Sequence, residues 1–221
     1  MRINKFIALK TGMSRRGADT AIAEGRVLVN GLPPEAGQQV DETDSLTLDG
    51  QPIDQEVALV TIMLNKPVGY VCSRDGQGNP TVYELLPAEL HHLKPVGRLD
   101  KHSSGLLLLT NDGQLAQELT HPKYHKLKTY KIALNKDLSE EDHKQVTGTG
   151  VILEDGLSKL DLAPMNNQKK EWKVVMSEGR NRQIRRTFEQ LGYSVVKLHR
   201  THFGPYVLGS LTSGKFDKIR I

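Results

Sequence analysis

Cysteine is almost missing from this chain: Cys72 is the single one in 221 residues. That excludes a disulfide framework and any multi-cysteine zinc site. Long apolar runs are missing too, with nothing near the roughly 18 residues of a membrane span. The opening MRINKF lacks the apolar core of a signal peptide. A cytoplasmic protein without a membrane partner is expected. There is no phosphate-cradling P-loop and no dinucleotide-binding glycine pattern. His121 and His125 have i,i+4 spacing, but Pro122 lies between them and no HExxH glutamate accompanies them. Ser103 and Ser104 lack a nucleophile-elbow context. No cofactor and no metal is expected.

What is present is charge, unevenly spread. The chain is 37% hydrophobic and 25% charged with net charge +4, a globular composition mildly biased toward a polyanionic partner. Residues 1–30 hold six Lys/Arg against two acids, whereas residues 31–60 hold seven acids and no Lys or Arg. So sharp a split marks a separate module with one basic edge, assigned here to residues 1–58. Ile3, Phe6 and Ile7 have helical spacing. Ser14 is suited to cap a second helix that turns Ala18, Ala21 and Ile22 inward and stops at Gly25. The strand VLVN follows, with an Asn30-Gly31 turn, and LTLDGQPI adds another strand and an Asp-Gly turn. Arg15 and Arg16 occupy the first turn of the second helix, where the macrodipole disfavours cations. Tolerated surface charge explains them, and so does a phosphate site at the helix start.

Residues 50–60 read as a linker to a larger domain, 61–221. There the strands TIMLN, YVCS, LLLLT, TYKIAL, VILED, WKVVM and SVVKLHR dominate. One helix is predicted from Ser139, whose SEED run fits a capping box, and another over 181–191, ending at Gly192. Asp-Gly and Asn-Pro turns join the strands, and Asp112-Gly113 reads as one such turn. The fold class is α+β: a small helix-helix-strand module plus a larger domain on a mostly antiparallel mixed sheet with flanking helices.

Three segments carry candidate chemistry. In GRLDKHSSGLLLLTNDG, residues 97–113, Asp100 stands at the mouth of an apolar run between Arg98 and Lys101. It is either a turn residue or a carboxylate kept ionised by a cation and able to act as a nucleophile. HPKYHKLKTYKIALNK, residues 121–136, has five lysines, two histidines and no acid. Lysine protection of an edge strand explains this strip, and so does a nucleic-acid backbone with a stacked base. Alternation puts Tyr130 on the face of Ile132 and Leu134, so its ring is inside or lines a cleft. In EGRNRQIRRTFEQLG, residues 178–192, Ile184, Phe188 and Leu191 form an apolar helix face. Arg180, Arg182, Arg185 and Arg186 crowd its start, against the dipole. Polyanion binding plus an internal ion pair with a carboxylate accounts for them best.

Together with LNKPVGYVCS at 64–73, these segments resemble the bacterial ribosomal RNA pseudouridine synthases, over nearly the whole chain. The first 60 residues resemble the small RNA-binding module of a small-subunit ribosomal protein. The resemblance implies a cofactor-free isomerase, monomeric, acting on ribosomal RNA by flipping a uridine out of its stack. It makes Asp100 the catalytic aspartate, Tyr130 the tyrosine stacked on the flipped uracil, and Arg185 the partner of Asp100. Ile184 becomes the aliphatic residue beside the target base, and Arg98 the arginine that helps hold the flipped-out state. Substrate-binding roles fall to Arg180, Arg182, Arg186 and Lys128. Module contacts to RNA fall to Arg2, Lys5, Arg15, Arg16 and Arg26. His102 and Thr187 depart from frequent family residues at their positions. Asp100 attacking the ribose, attacking ring carbon six, or acting mainly as a base all stay open. A non-catalytic RNA-binding protein of the same fold is one rival. A hydrolase is another, although it would want a second positioned carboxylate.

Overall fold

A computed structural model describes residues 1–41, 43–53, 58–166 and 169–219. The chain divides into two compact units. One comprises Met1–Val60 with Asn111–Gly113, the other Thr61–Thr110 with Gln114–Ile221.

In the first unit, helices α1 (Ile3–Thr11) and α2 (Arg15–Ala23) precede a three-stranded antiparallel sheet of β1 (Val27–Val29), β2 (Leu46–Leu48) and β3 (Gln51–Pro52). Ile3, Phe6, Ile7, Ala18 and Ala21 are buried in its core, with Ile22 packed against them. The Ser14 hydroxyl accepts from Gly17 N–H at 2.9 Å, and Gly25 at φ 70° ends α2. Asn30 and Gly31 make the tight turn, but the returning strand is one residue long. Val29 bridges Leu32, and β1 then pairs with β2 after an excursion. The 50–60 linker begins later than predicted, because Gln51–Pro52 is a strand and Ile53 is in the core. Residues 54–57 lie outside the described residues.

The second unit is built on β4 (Thr61–Lys66), β5 (Lys94–Val96), β6 (Ser104–Thr110), β7 (Lys128–Leu134), β8 (Val151–Leu153), β9 (Gly156–Ser158), β10 (Asp161–Pro164), β11 (Glu171–Met176), β12 (Val195–Phe203), β13 (Tyr206–Val207) and β14 (Phe216–Ile219). Its main sheet runs β10-β11-β7-β12-β6-β4-β14, with β5 on β6 and β13 on β12. Only the β12–β6 pairing is parallel. β8 and β9 form a separate hairpin. Helices are α3 (Gly113–Thr120), α4 (Glu140–Lys144) and α5 (Gln183–Gln190). The leucine run is buried on both faces, so β6 is a central strand: Leu106, Leu107, Leu108 and Leu109 are each 0% exposed. Leu106 and Leu108 pack against Leu115 and Leu119 of α3.

Three expectations are corrected. YVCS is not a strand. Val71 makes a single parallel bridge to Thr81, and Cys72 turns its thiol to another loop. Asp112-Gly113 is not a hairpin turn; it leads into α3. The arginine-rich helix starts two residues later than predicted, with Arg182 at its N-cap in the left-handed region, φ 45°. Among the described residues no helix is long and apolar enough to cross a membrane.

A cross-strand row positions the site. Lys66 pairs with Gly105, Gly105 with Arg200, Arg200 with Tyr130, and Tyr130 with Val174. Register partners share a face, so these residues line one side of the sheet. Gly105 is required twice over. Its φ is +103°, and a Cβ there would lie 2.2 Å from the Arg200 carbonyl oxygen. Gly105→Ala would force β6 and β12 apart and is expected to cost about 2 kcal/mol or more. A shift in the urea midpoint reads this, and an unshifted midpoint would contradict the close approach.

Candidate active site

Asp100 lies in the loop between β5 and β6, and the loop is held from beneath. Lys66 is 0% exposed. Its ammonium donates to the carbonyls of Pro67 at 3.0 Å, Asp100 at 3.1 Å and Ser103 at 2.7 Å. Burial pushes this ammonium below the ordinary lysine value, and the Asp100 carboxylate pulls it back in part. The Cys72 thiol accepts from Leu99 N–H at 3.5 Å and donates to its carbonyl at 3.4 Å. Gly69 N–H reaches the Lys101 carbonyl at 2.7 Å. The 64–73 segment thus wraps the Asp100 loop, which is why its middle is not a strand.

The carboxylate is held at both oxygens. Oδ1 accepts from His102 N–H at 2.9 Å. Oδ2 faces Arg185 Nε at 3.3 Å and Arg182 Nη1 at 3.5 Å. Arg185 is itself fixed by the carbonyls of Val195 at 2.7 Å and His102 at 2.9 Å. Burial alone would raise the Asp100 carboxyl. The Ser103 hydroxyl, Arg185, Arg182 and the His102 N–H together outweigh it and hold it below its ordinary 3.8. The carboxylate is therefore ionised through the neutral range, as a nucleophile or base requires.

The arginine run divides in two. Arg182 and Arg185 meet Asp100. Arg180 and Arg186 clamp Asp155 at the tip of the β8–β9 hairpin, Arg180 Nη1 at 2.9 Å and Arg186 Nη2 at 2.7 Å from its carboxylate. Arg180 also donates to the carbonyls of Asp155, Gly156 and Leu157. The run is expected to combine polyanion binding with an internal ion pair, and these two arginines make such a pair. Their guanidinium groups are spent on an internal carboxylate that answers the charge at the helix start.

Tyr130 is buried at 7% exposure on the central strand β7. Its Cα partner Arg200 pairs in turn with Gly105, so Tyr130 is two strand spacings from β6, about 10 Å. No hydrogen bond joins Tyr130 to Asp100 among the described residues. Arg200, 2% exposed, donates from Nε to the Leu106 carbonyl at 2.8 Å and lies over the Phe203 ring at 4.7 Å. Lys128 reaches the carbonyls of Ser177 and Glu178 and lies 5.5 Å from the same ring. Ile184 is buried within α5. Arg98 is exposed with no polar partner among the described residues, while Lys101 turns to Asn79 at 2.6 Å. In the first unit Arg2, Lys5, Arg15 and Arg16 are exposed. Arg26 is exposed as well, and pairs with Asp49 at 2.7 Å and Glu24 at 3.2 Å.

Sequence reasoning did not single out Lys66, Cys72, Ser103, Gly105 or Arg200. A signal existed for Lys66, a lysine ending an otherwise apolar strand. The other four act through contacts that depend on how the loops and strands pack, which no spacing reveals.

A model described as RNA pseudouridylate synthase matches residues 60–190, and one described as S4 domain matches residues 1–46. A ribosomal large subunit pseudouridine synthase B from Pseudomonas aeruginosa is 40% identical over 99% of this chain, which spans 59% of that relative's length. A ribosomal small subunit pseudouridine synthase A from Pasteurella multocida is 36% identical, covering 99% of this chain and 96% of its own. A crystal structure of a pseudouridylate synthase superposes with a TM-score of 0.70 at 33% identity, covering 100% of this chain and 96% of that one.

Two outcomes are expected. Lys66→Met removes a buried donor shared by three carbonyls and should cost about 2–4 kcal/mol in urea unfolding; a smaller loss would mean that the loop holds itself. Asp100 has a folded value below its unfolded one. Its stabilisation is full above the unfolded value, about pH 4, and is lost as pH falls through the folded value. The stability gap between wild type and Asp100→Asn should therefore stay level above about pH 5 and shrink as pH falls below about pH 4. A constant gap would contradict the ion pairing.

Proposed function

The chain belongs to the RNA pseudouridylate synthase family, and we propose that it isomerises a specific uridine of ribosomal RNA to pseudouridine with Asp100 as the catalytic carboxylate. The observation that carries this reading is an ionised carboxylate held by two arginines and a backbone N–H on a loop pinned by a buried lysine.

The chemistry is intramolecular. The bond between N1 of uracil and the anomeric carbon breaks, the base turns, and ring carbon five bonds to the anomeric carbon. The proton leaves carbon five, and N1 gains one. No electron or group carrier enters this balance. Asp100 attacks the ribose or ring carbon six, or takes a proton; each role needs the ionised form. A stacked uridine is out of reach, so the base is flipped at a cost of a few kcal/mol, offset by phosphate contacts. Tyr130 would stack on the flipped base, with Ile184 beside it, while exposed Arg98 and the outward half of Arg182 hold the displaced strand. Lys128 steadies this end of the cleft. Arg180 and Arg186 contribute by fixing the hairpin next to the helix start.

Residues 61–221 form the catalytic domain in this reading, and residues 1–58 an RNA clamp of the S4 kind. Arg2, Lys5, Arg15 and Arg16 are its exposed cations for phosphates, and Arg26 shapes its sheet. The protein acts as a monomer in the cytoplasm during ribosome biogenesis.

The test is to incubate wild type and Asp100→Asn with unmodified large- and small-subunit ribosomal RNA and to map pseudouridine by chemical modification and primer extension. Wild type should give one or a few stops. The variant should be slower by about 10³-fold or more. Equal rates would overturn the role of Asp100, and no stops on either RNA would overturn the substrate.

A further inference from the structure

The lysine strip at 121–136 is only partly absorbed by this site. Edge protection does not explain Lys131, because β7 is an interior strand between β11 and β12. Tyr130, Ile132 and Leu134 are buried on one face of β7, and Lys131 is exposed on the other.

Following the register across that open face gives a second row. Ser104 pairs with His199, His199 with Lys131, and Lys131 with Lys173. A bulge between Val195 and Lys197 then brings Lys197 opposite Ala133, on this same face. Lys131, Lys173 and Lys197 are all exposed, and none is in an ion pair among the described residues. From His199 to Lys173 the row spans two strand spacings, about 10 Å. Two acids share the face, Asp161 on β10 and Glu171 on β11, two residues from Lys173. Asp161 pairs with Val175, and Glu171 accepts from Asn166 at 2.8 Å instead of neutralising a lysine.

Like charges directly opposite one another on neighbouring strands are destabilising, by a few tenths to about 1 kcal/mol per pair. The charges here do feel one another: burial first, then Lys197 and Lys131, hold the His199 imidazole below its ordinary value. An arrangement that costs folding stability in the middle of a sheet is accounted for by a polyanion that covers it. The face has no Phe, Tyr or Trp, since Thr129, Ala133 and Val175 fill the gaps between the cations. It can meet phosphates but has little on which to stack bases, which fits a duplex backbone better than a single strand.

We propose that the open face of β12, β7 and β11, through Lys131, Lys173 and Lys197, binds the phosphodiester backbone of an RNA helix on the side of the sheet opposite Tyr130. The inference deepens the reading of the chain as a ribosomal RNA enzyme and rests on it for the partner's identity.

The test uses the full chain and a short blunt RNA duplex, with a single strand of equal length beside it. Binding is measured against salt for wild type and for the triple variant Lys131→Gln, Lys173→Gln, Lys197→Gln. Each lysine on a phosphate contributes roughly 0.7–0.9 to the slope of log K against log salt. The triple variant should therefore flatten the duplex slope by about 2–3, lose less on the single strand, and melt no lower than wild type. A matched variant at the exposed Lys144, Lys159 and Lys170, all changed to Gln, should change the slope less. An unchanged slope, an equal loss in the matched variant, an equal loss on the single strand, or a lowered melting temperature would each overturn the proposal. Wild type that binds the duplex as described but forms no pseudouridine would overturn the enzymatic reading and support this surface.

Discussion

A buried ammonium with three carbonyls around it organises the larger domain. Lys66 ends β4 at 0% exposure and donates to Pro67, Asp100 and Ser103, which belong to two separate loops. Carbonyls cannot bond to one another, so a shared donor lets these three converge, beside the Gly69–Lys101 and Cys72–Leu99 contacts between the same loops. The desolvation that depresses the Lys66 pKa is the cost of that arrangement, and a fixed backbone at Asp100 is its result. The side chain of Asp100 is then free to face Arg182 and Arg185 from a position that does not drift.

The arginines follow the same logic at larger scale. Four cations at one helix start are unfavourable against the dipole and against each other. Two carboxylates, Asp100 and Asp155, divide them into pairs. One pair holds the candidate catalytic group, and the other ties the β8–β9 hairpin to the start of α5. Arg182 adopts a left-handed backbone, φ 45°, beside Asp100. Strain of this kind is found where surrounding contacts over-determine a functional position.

Much of the architecture was legible because periodicity and capping are local. The helix face of Ile3, Phe6 and Ile7, the Ser14 cap, the alternation in TYKIAL and the fully buried leucines all reappear in the structure. The misreadings share a cause. YVCS has strand composition, yet the Cys72 thiol binds a loop 27 residues away in sequence. Asp112-Gly113 looks like a turn because its partner, the Leu106–Leu108 surface that α3 covers, is set by the sheet. In each case a long-range contact overrode a sound local signal.

By itself the sequence determined the α+β composition, the separation of a basic-edged small module, the absence of cysteine-based sites, and the singling out of Asp100, Tyr130 and the arginine run. These depend on residue type and short spacing, which chain order preserves. The tertiary structure alone decided that Arg182 joins Arg185 at Asp100, that Lys66 and Gly105 hold its loop, and that Lys131 stands in the middle of a sheet. Those outcomes depend on strand register and on which polar groups are left to share a donor in the interior. Neither is determined until distant segments have packed.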